Sequence, residues 1–169
     1  MKNAPVKFGL ITLAASVVWI FFEHFMGWNT TNHYIGQYSR MLPMILFWIM
    51  IVVCIWYVRR NHGNTLTFRE GFESGLIMTL VYAVGFTIVI LLYSKFMNPN
   101  MLETLQSFFE QQFKDGKLTQ QQFDDAMKEA DTVYSGKPLS YLLLFIFSSI
   151  WGIGVSAIAS MLLRRKAST

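Results

Sequence analysis

Four apolar stretches, residues 8–26, 41–58, 75–96 and 139–163, make up half of this 169-residue chain and contain only two charged residues, Glu23 and Lys95. A bilayer core of ~30 Å is crossed by ~20 helical residues, and with no water inside it every backbone amide must be satisfied within its own segment. The stretches meet that length, so the sequence predicts an all-α polytopic membrane protein with four transmembrane helices. A soluble globule carries ~25% charged residues; this chain has 14%, with a mean hydropathy of +0.38. At 53% hydrophobic residues it is also far from a disordered composition.

The first stretch follows Lys2 and Lys7 and imitates a secretory signal. It ends in Glu23-His24-Phe25-Met26-Gly27-Trp28 rather than in the spaced small residues of a cleavage site, so it reads as an uncleaved membrane helix. Orientation follows from the side on which Lys and Arg accumulate. With both termini cytoplasmic, that side holds Lys2, Lys7, Arg59, Arg60, Arg69, Arg164, Arg165 and Lys166 against Glu70 and Glu73. The opposite side holds Arg40, Lys95, Lys114, Lys117, Lys128 and Lys137 against seven acids between Glu103 and Asp131. The pI of 9.3 then reports topology and contact with anionic lipid, and nucleic acid is not an expected partner.

Between the spans, Thr67-Phe68-Arg69-Glu70 forms a capping box that starts the third helix in the cytoplasm and predicts a helix over 68–96. Pro43 falls in the first turn of the second span, and Arg59, Arg60 and Gly63 suit its end. Residues 97–138 have the composition of a small soluble module. Asn98-Pro99 reads as a cap with a first-turn proline, after which Met101, Leu102, Leu105, Phe108, Phe109 and Phe113 recur at helical spacing. Asp115-Gly116 breaks the run, Thr119 with Gln122 offers a second capping box, and Phe123, Ala126, Met127, Ala130 and Tyr134 follow until Gly136 and Pro138. An extracytoplasmic αα-hairpin is expected. Two helices packed on each other as a cap are the simplest arrangement; a partner-docking or lipid-lying face is the alternative.

Small residues recur every four positions in two spans: Gly71, Gly75, Thr79, Ala83 and Thr87 in the third, and Ser148, Gly152, Ser156 and Ser160 in the fourth. Such ridges let backbones approach where lipid removes the hydrophobic incentive to associate. They predict helix contacts, most simply between these two spans, with a homo-oligomer through one stripe as the alternative.

Ionisable groups inside a span are functional suspects because burying them is costly. Glu23 and His24 are the only such neighbours, with His33 nine residues on, and a metal or proton-relay site would draw on these three. Against it, Glu23 and His24 fall in the last turn of the first span, where water is within reach, and adjacent helical residues point ~100° apart. Cys54 is a lone thiol suited to core or lipid contact, and His62 lies in a polar, basic loop and reads as solvated. Asp124, Asp125, Glu129 and Asp131 lack calcium-loop spacing. With no phosphate-cradling, GxSxG or HExxH motif, no enzyme activity, metal or cofactor is expected. Trp28, Tyr34, Tyr38, Tyr93 and Tyr134 suit interfacial anchoring at one face, and Trp56 and Tyr57 at the other.

The order of features resembles the bacterial inner-membrane proteins grouped as domain of unknown function family 4199. The resemblance rests on Lys7-Phe8-Gly9 opening the first span, Leu66-Thr67-Phe68 and Gly71-Phe72 with Gly75 before the third, and Asn98-Pro99 after it. A polar helical loop and a last span ending in Arg164-Arg165-Lys166 complete it. It implies a four-helix inner-membrane protein and carries no activity, substrate or catalytic residue. The function expected is a non-enzymatic scaffold or accessory subunit presenting the hairpin to a membrane or periplasmic partner; the alternative is a subunit of an oligomeric small-solute transporter or channel.

Overall fold

Prolines open three of the long helices, at first-turn positions whose missing N–H would have had no intrahelical partner. They are Pro5 in α1 (Ala4–Phe25), Pro43 in α3 (Leu42–Asn61) and Pro138 in α7 (Pro138–Leu163). The computed structural model describes residues 3–165; Lys2 and Lys166 lie outside the described residues. A short α2 (His33–Ser39) sits between α1 and α3. Both halves of the Thr67–Glu70 capping box start α4 (Phe68–Leu92), which runs on as a π-helical segment, Tyr93–Met97. Then come α5 (Met101–Lys114) and α6 (Gln120–Tyr134), the latter started by the Thr119–Gln122 capping box. Asn98 is not the cap of α5. That position is taken by Asn100, and the Asn98 amide instead donates to the Asn29 carbonyl at 2.8 Å.

Four helices are long and apolar enough to cross a membrane, and large apolar side chains such as Val18, Ile88, Phe147 and Ile158 are exposed along them. α4 packs on α1, α3 and α7, and α3 packs on α1, α4 and α7, so this pair forms the axis of the bundle. Its middle is filled by Phe47, Ile51 and Ile55 of α3, Met78 and Tyr82 of α4, and Ala159 of α7, with Phe47 and Tyr82 stacked 4.1 Å apart. Cys54 is buried in the same core. At the termini-side end, Leu66 and Arg165 exchange two backbone hydrogen bonds of 2.9–3.0 Å, tying the α3–α4 loop to the end of α7. His62, in that loop, lies near the start of α4 with Nδ1 4.0 Å from Glu70, its side chain still 32% exposed.

The helices approach through small residues. A Cβ added to Gly75 would lie 2.6 Å from Ser156 Cβ, one on Gly152 would lie 2.6 Å from Thr79 Oγ1, and one on Gly71 would lie 3.1 Å from Ser160 Cβ. α1 and α4 meet similarly: Gly9 faces Val81, and Gly85 faces Leu13. Ala83 is buried, Thr87 donates to the Ala83 carbonyl at 2.8 Å, and Ser148 is half-buried. Overpacking at such a crossing costs about 1–3 kcal/mol. Gly75→Leu and Gly152→Leu are therefore expected to lower the thermal midpoint in detergent. Gly154→Leu, whose added Cβ meets nothing within 4 Å, is expected to leave it unchanged. Equal midpoints for all three would contradict this packing.

α5 and α6 pack on each other, with Phe113 stacked on Phe123 at 5.0 Å. The turn between them uses Gly116 at φ +70, a left-handed conformation suited to glycine. Lys117 and Gln111 beside Asp115 hold its carboxyl below the usual carboxylate range. The pair rests on the bundle through Met101 and Leu105, which pack with Ile20 and Tyr93. Ser140 Oγ of α7 donates to the Thr132 carbonyl of α6 at 2.7 Å.

Candidate functional site

Glu23 lies one turn from the end of α1, and the sequence alone leaves it within reach of water. In the structure it is 1% exposed. Residues 26–40 turn back over the end of α1 and bring α2 against it. Gly36 permits this approach, since a Cβ there would run into the Trp28 carbonyl. The carboxylate then receives three donors. Ser39 Oγ and Trp19 Nε1 (3.1 Å) donate to Oε1, and Asn29 Nδ2 donates to Oε2 at 3.0 Å. All three partners donate, and the two carboxylate oxygens accept every one of these hydrogen bonds.

The counter-charge is Arg40, reached through an amide. Arg40 Nε donates to Asn29 Oδ1 at 3.0 Å while the amino end of the same side chain serves Glu23. Arg40 Nη2 donates to His33 Nδ1 at 2.9 Å. An arginine only donates, so Nδ1 is a lone pair and the proton of the neutral ring lies on Nε2, which donates to Thr104 Oγ1 at 3.0 Å. Thr104 passes its own proton to the Met101 carbonyl at 3.1 Å. The chain Glu23–Asn29–Arg40–His33–Thr104 thus links the end of α1 to α5, and the Arg40 guanidinium also lies 5.8 Å from the centre of the Tyr134 ring of α6.

His24 serves a neighbouring branch. Its Nδ1 is 3.1 Å from Tyr93 Oη. Asn98 Nδ2 reaches both Tyr93 Oη, at 3.4 Å, and the Asn29 carbonyl. The π-helical segment makes this possible, because its wider turn re-aims Tyr93 and Asn98 toward α1; Asn98 N–H closes it on the Tyr93 carbonyl at 2.9 Å. Tyr93 is therefore buried in the network and not an interfacial anchor; Tyr34 and Tyr38 are exposed. Although Glu23 and His24 point ~100° apart on their helix, they hold adjoining branches of one network. His33 joins it through Arg40, so Glu23, His24 and His33 do not converge on a common point. Among the described residues no group of three or more His, Cys, Asp or Glu side chains is placed to hold a metal ion.

Asn29 and Ser39 were not singled out by sequence reasoning, which counted Arg40 only as a charge outside the spans and read Asn98 only as a helix cap. One local signal was present: His33 and Arg40 are seven residues apart, two helical turns, and so share a face. Beside the network lies a cavity of about 660 Å³, lined by Glu23, Asn29, Arg40, Tyr93, Lys95 and Asn98 on the polar side and by Ile20, Phe86, Ile90, Leu91 and Leu144 on the apolar side.

The architecture is an all-helical bundle with four potential membrane spans and a buried polar network at the end away from the termini. The chain belongs to the family described as protein of unknown function (DUF4199), whose match covers residues 7–165. No curated protein and no solved structure shows significant similarity to it.

The polar cage carries a stability prediction. Breaking a buried charge cluster costs roughly 3–5 kcal/mol, so Glu23→Gln, which turns an amide group toward donors, is expected to lower the thermal midpoint markedly. His24→Ala removes one hydrogen bond at a half-buried ring, worth about 1 kcal/mol. Thermal unfolding in one detergent compares them, and a His24→Ala defect as large as that of Glu23→Gln would be inconsistent with the cage.

Proposed function

We propose that the chain is a non-enzymatic integral protein of the bacterial inner membrane, with both termini cytoplasmic. It acts as a scaffold or accessory subunit that presents α5 and α6 on the periplasmic side to a protein partner. The observation that carries this reading is the two-sidedness of the α5–α6 pair. One side is fixed on the bundle by Met101, Leu105 and the His33–Thr104 hydrogen bond, and on the other Glu103, Glu110, Asp124, Asp125 and Glu129 are exposed. A rigidly seated acidic surface suits a basic partner, whose approach it steers. The orientation is supported by Arg59, Arg60, Arg69, Arg164 and Arg165, all near the termini-side end.

The transporter or channel reading draws on the buried Glu23–Arg40 network. In one copy the middle of the bundle is packed with Phe47, Ile51, Met78 and Tyr82, so a solute path would have to lie between copies of a homo-oligomer.

Two measurements test the proposal. In intact spheroplasts, Gly116→Cys is expected to react with a membrane-impermeant maleimide and Gly63→Cys to be protected; the reverse pattern overturns the orientation. A photo-crosslinker at Asp125 is expected to give a discrete protein adduct in cells that one at Ile150 does not. Adducts of lipid alone at Asp125 would remove the partner. A solute-flux defect in well-folded His24→Ala protein would favour transport.

A further inference from the structure

The cavity at the end away from the termini has two unlike halves. Its apolar walls come from Ile20 of α1, Phe86 and Ile90 of α4 and Leu144 of α7, and its polar rim includes Arg40 and Lys95. Along α4 and the π-helical segment that continues it, the cavity extends from Phe86 to Lys95, nine residues or about 13 Å. Among its wall residues Leu91, Lys95 and Val133 are exposed, so it opens at the perimeter of the bundle, where spanning helices meet lipid. A lysine at the end of a span sits at headgroup level with its stem along apolar surface. The apolar half then lies at the depth of the acyl chains of that leaflet.

The charges select the occupant's headgroup. Glu23 also lines the cavity, but its oxygens already accept from Ser39, Trp19 and Asn29. Arg40 spends only part of its donor fork on Asn29 and His33, and Lys95 has no carboxylate within ion-pair distance among the described residues. Two cations against one saturated carboxylate leave the rim with a net positive charge. A headgroup of net negative charge complements it, whereas a zwitterionic head brings the same phosphodiester together with a cation that the rim repels.

We infer that this cavity binds one anionic phospholipid from the surrounding leaflet, its phosphate against Arg40 and Lys95 and an acyl chain along Phe86, Ile90 and Leu144. The lipid holds α4, α6 and α7 together at the end where they part around the cavity. This goes beyond docking at the exposed acids of α5 and α6, because it uses the side of those helices that faces the bundle and needs no protein partner.

The test uses the full chain, stripped of lipid in a neutral detergent, and native mass spectrometry with phosphatidylglycerol and phosphatidylcholine of identical chains. A one-lipid adduct is expected with phosphatidylglycerol, bound about tenfold more tightly than phosphatidylcholine, and a rise in thermal midpoint is expected with phosphatidylglycerol only. Lys95→Gln, at an exposed position, is expected to weaken the adduct about fivefold, the usual worth of one cation beside anionic lipid. Leu144→Trp, which fills the apolar half, is expected to weaken it as well. Equal binding of the two lipids, or an adduct unchanged in Lys95→Gln, would overturn the site. Full competition by inorganic phosphate or by oleate would overturn it too, in favour of a free anion or a fatty acid.

Discussion

Lipid tails are as apolar as leucine, so burying an apolar face gives spanning helices almost no reason to associate; close backbone approach must supply the attraction instead. In this chain the requirement falls on α4. Gly71 and Gly75 bring α7 against it, Gly9 and Gly85 bring α1, and α3 packs alongside. The hydroxyls at the α4–α7 crossing do not bond across it. Ser156 and Ser160 donate to the carbonyls four residues earlier at 2.6 Å, as Thr87 does at 2.8 Å. These three satisfy their protons within their own helices and then pack as small residues, while Thr79 Oγ1, buried against Gly152, has no hydrogen-bond partner among the described residues, so the crossing depends on dispersion and shape.

That economy fails at the end away from the termini, where a buried acidic side chain, an arginine and two histidines have to be accommodated. Burial of an unpaired charge would cost more than the fold can supply, and the solution is to give each group a hydrogen-bond partner close by. Asn29 is the central piece. Its side chain separates Glu23 from Arg40 while bonding both, and its carbonyl takes the Asn98 amide. The network also has a mechanical consequence. Through His33 and Thr104 it reaches α5, so α5 sits on the bundle by directional bonds as well as by Met101 and Leu105, and its register is fixed where apolar contact alone would let it slide.

What was legible in the sequence was what is decided locally. The spans follow from twenty-residue apolar runs, and both capping boxes close within four residues, Thr67 with Glu70 and Thr119 with Gln122. The misreadings share one cause. Asn98-Pro99 has the local form of a helix cap, and Tyr93 the local form of an interfacial anchor, but each is claimed by partners about seventy residues away: Asn29 for Asn98, and His24 for Tyr93. Glu23 looked wet because the end of a span usually is; residues 26–40, turning back over it, changed its environment without leaving a periodic trace in the sequence. The site is thus assembled from long-range contacts that no window of sequence contains.

The same assembly ties the cavity to the outer helices. Tyr134 ends α6, lines the cavity and stands against the Arg40 guanidinium, so one aromatic ring belongs to both surfaces. A molecule that draws Arg40 toward the cavity changes the seat of Tyr134 and with it the end of α6. A partner that shifts α6 changes the rim of the cavity by the same contact. Linkage requires these effects to be equal in free energy, each ligand altering the affinity of the other by one common factor. Arg40 is held by Asn29 and His33 on one side and faces the Tyr134 ring on another, so a coupling of this kind would pass through that ring.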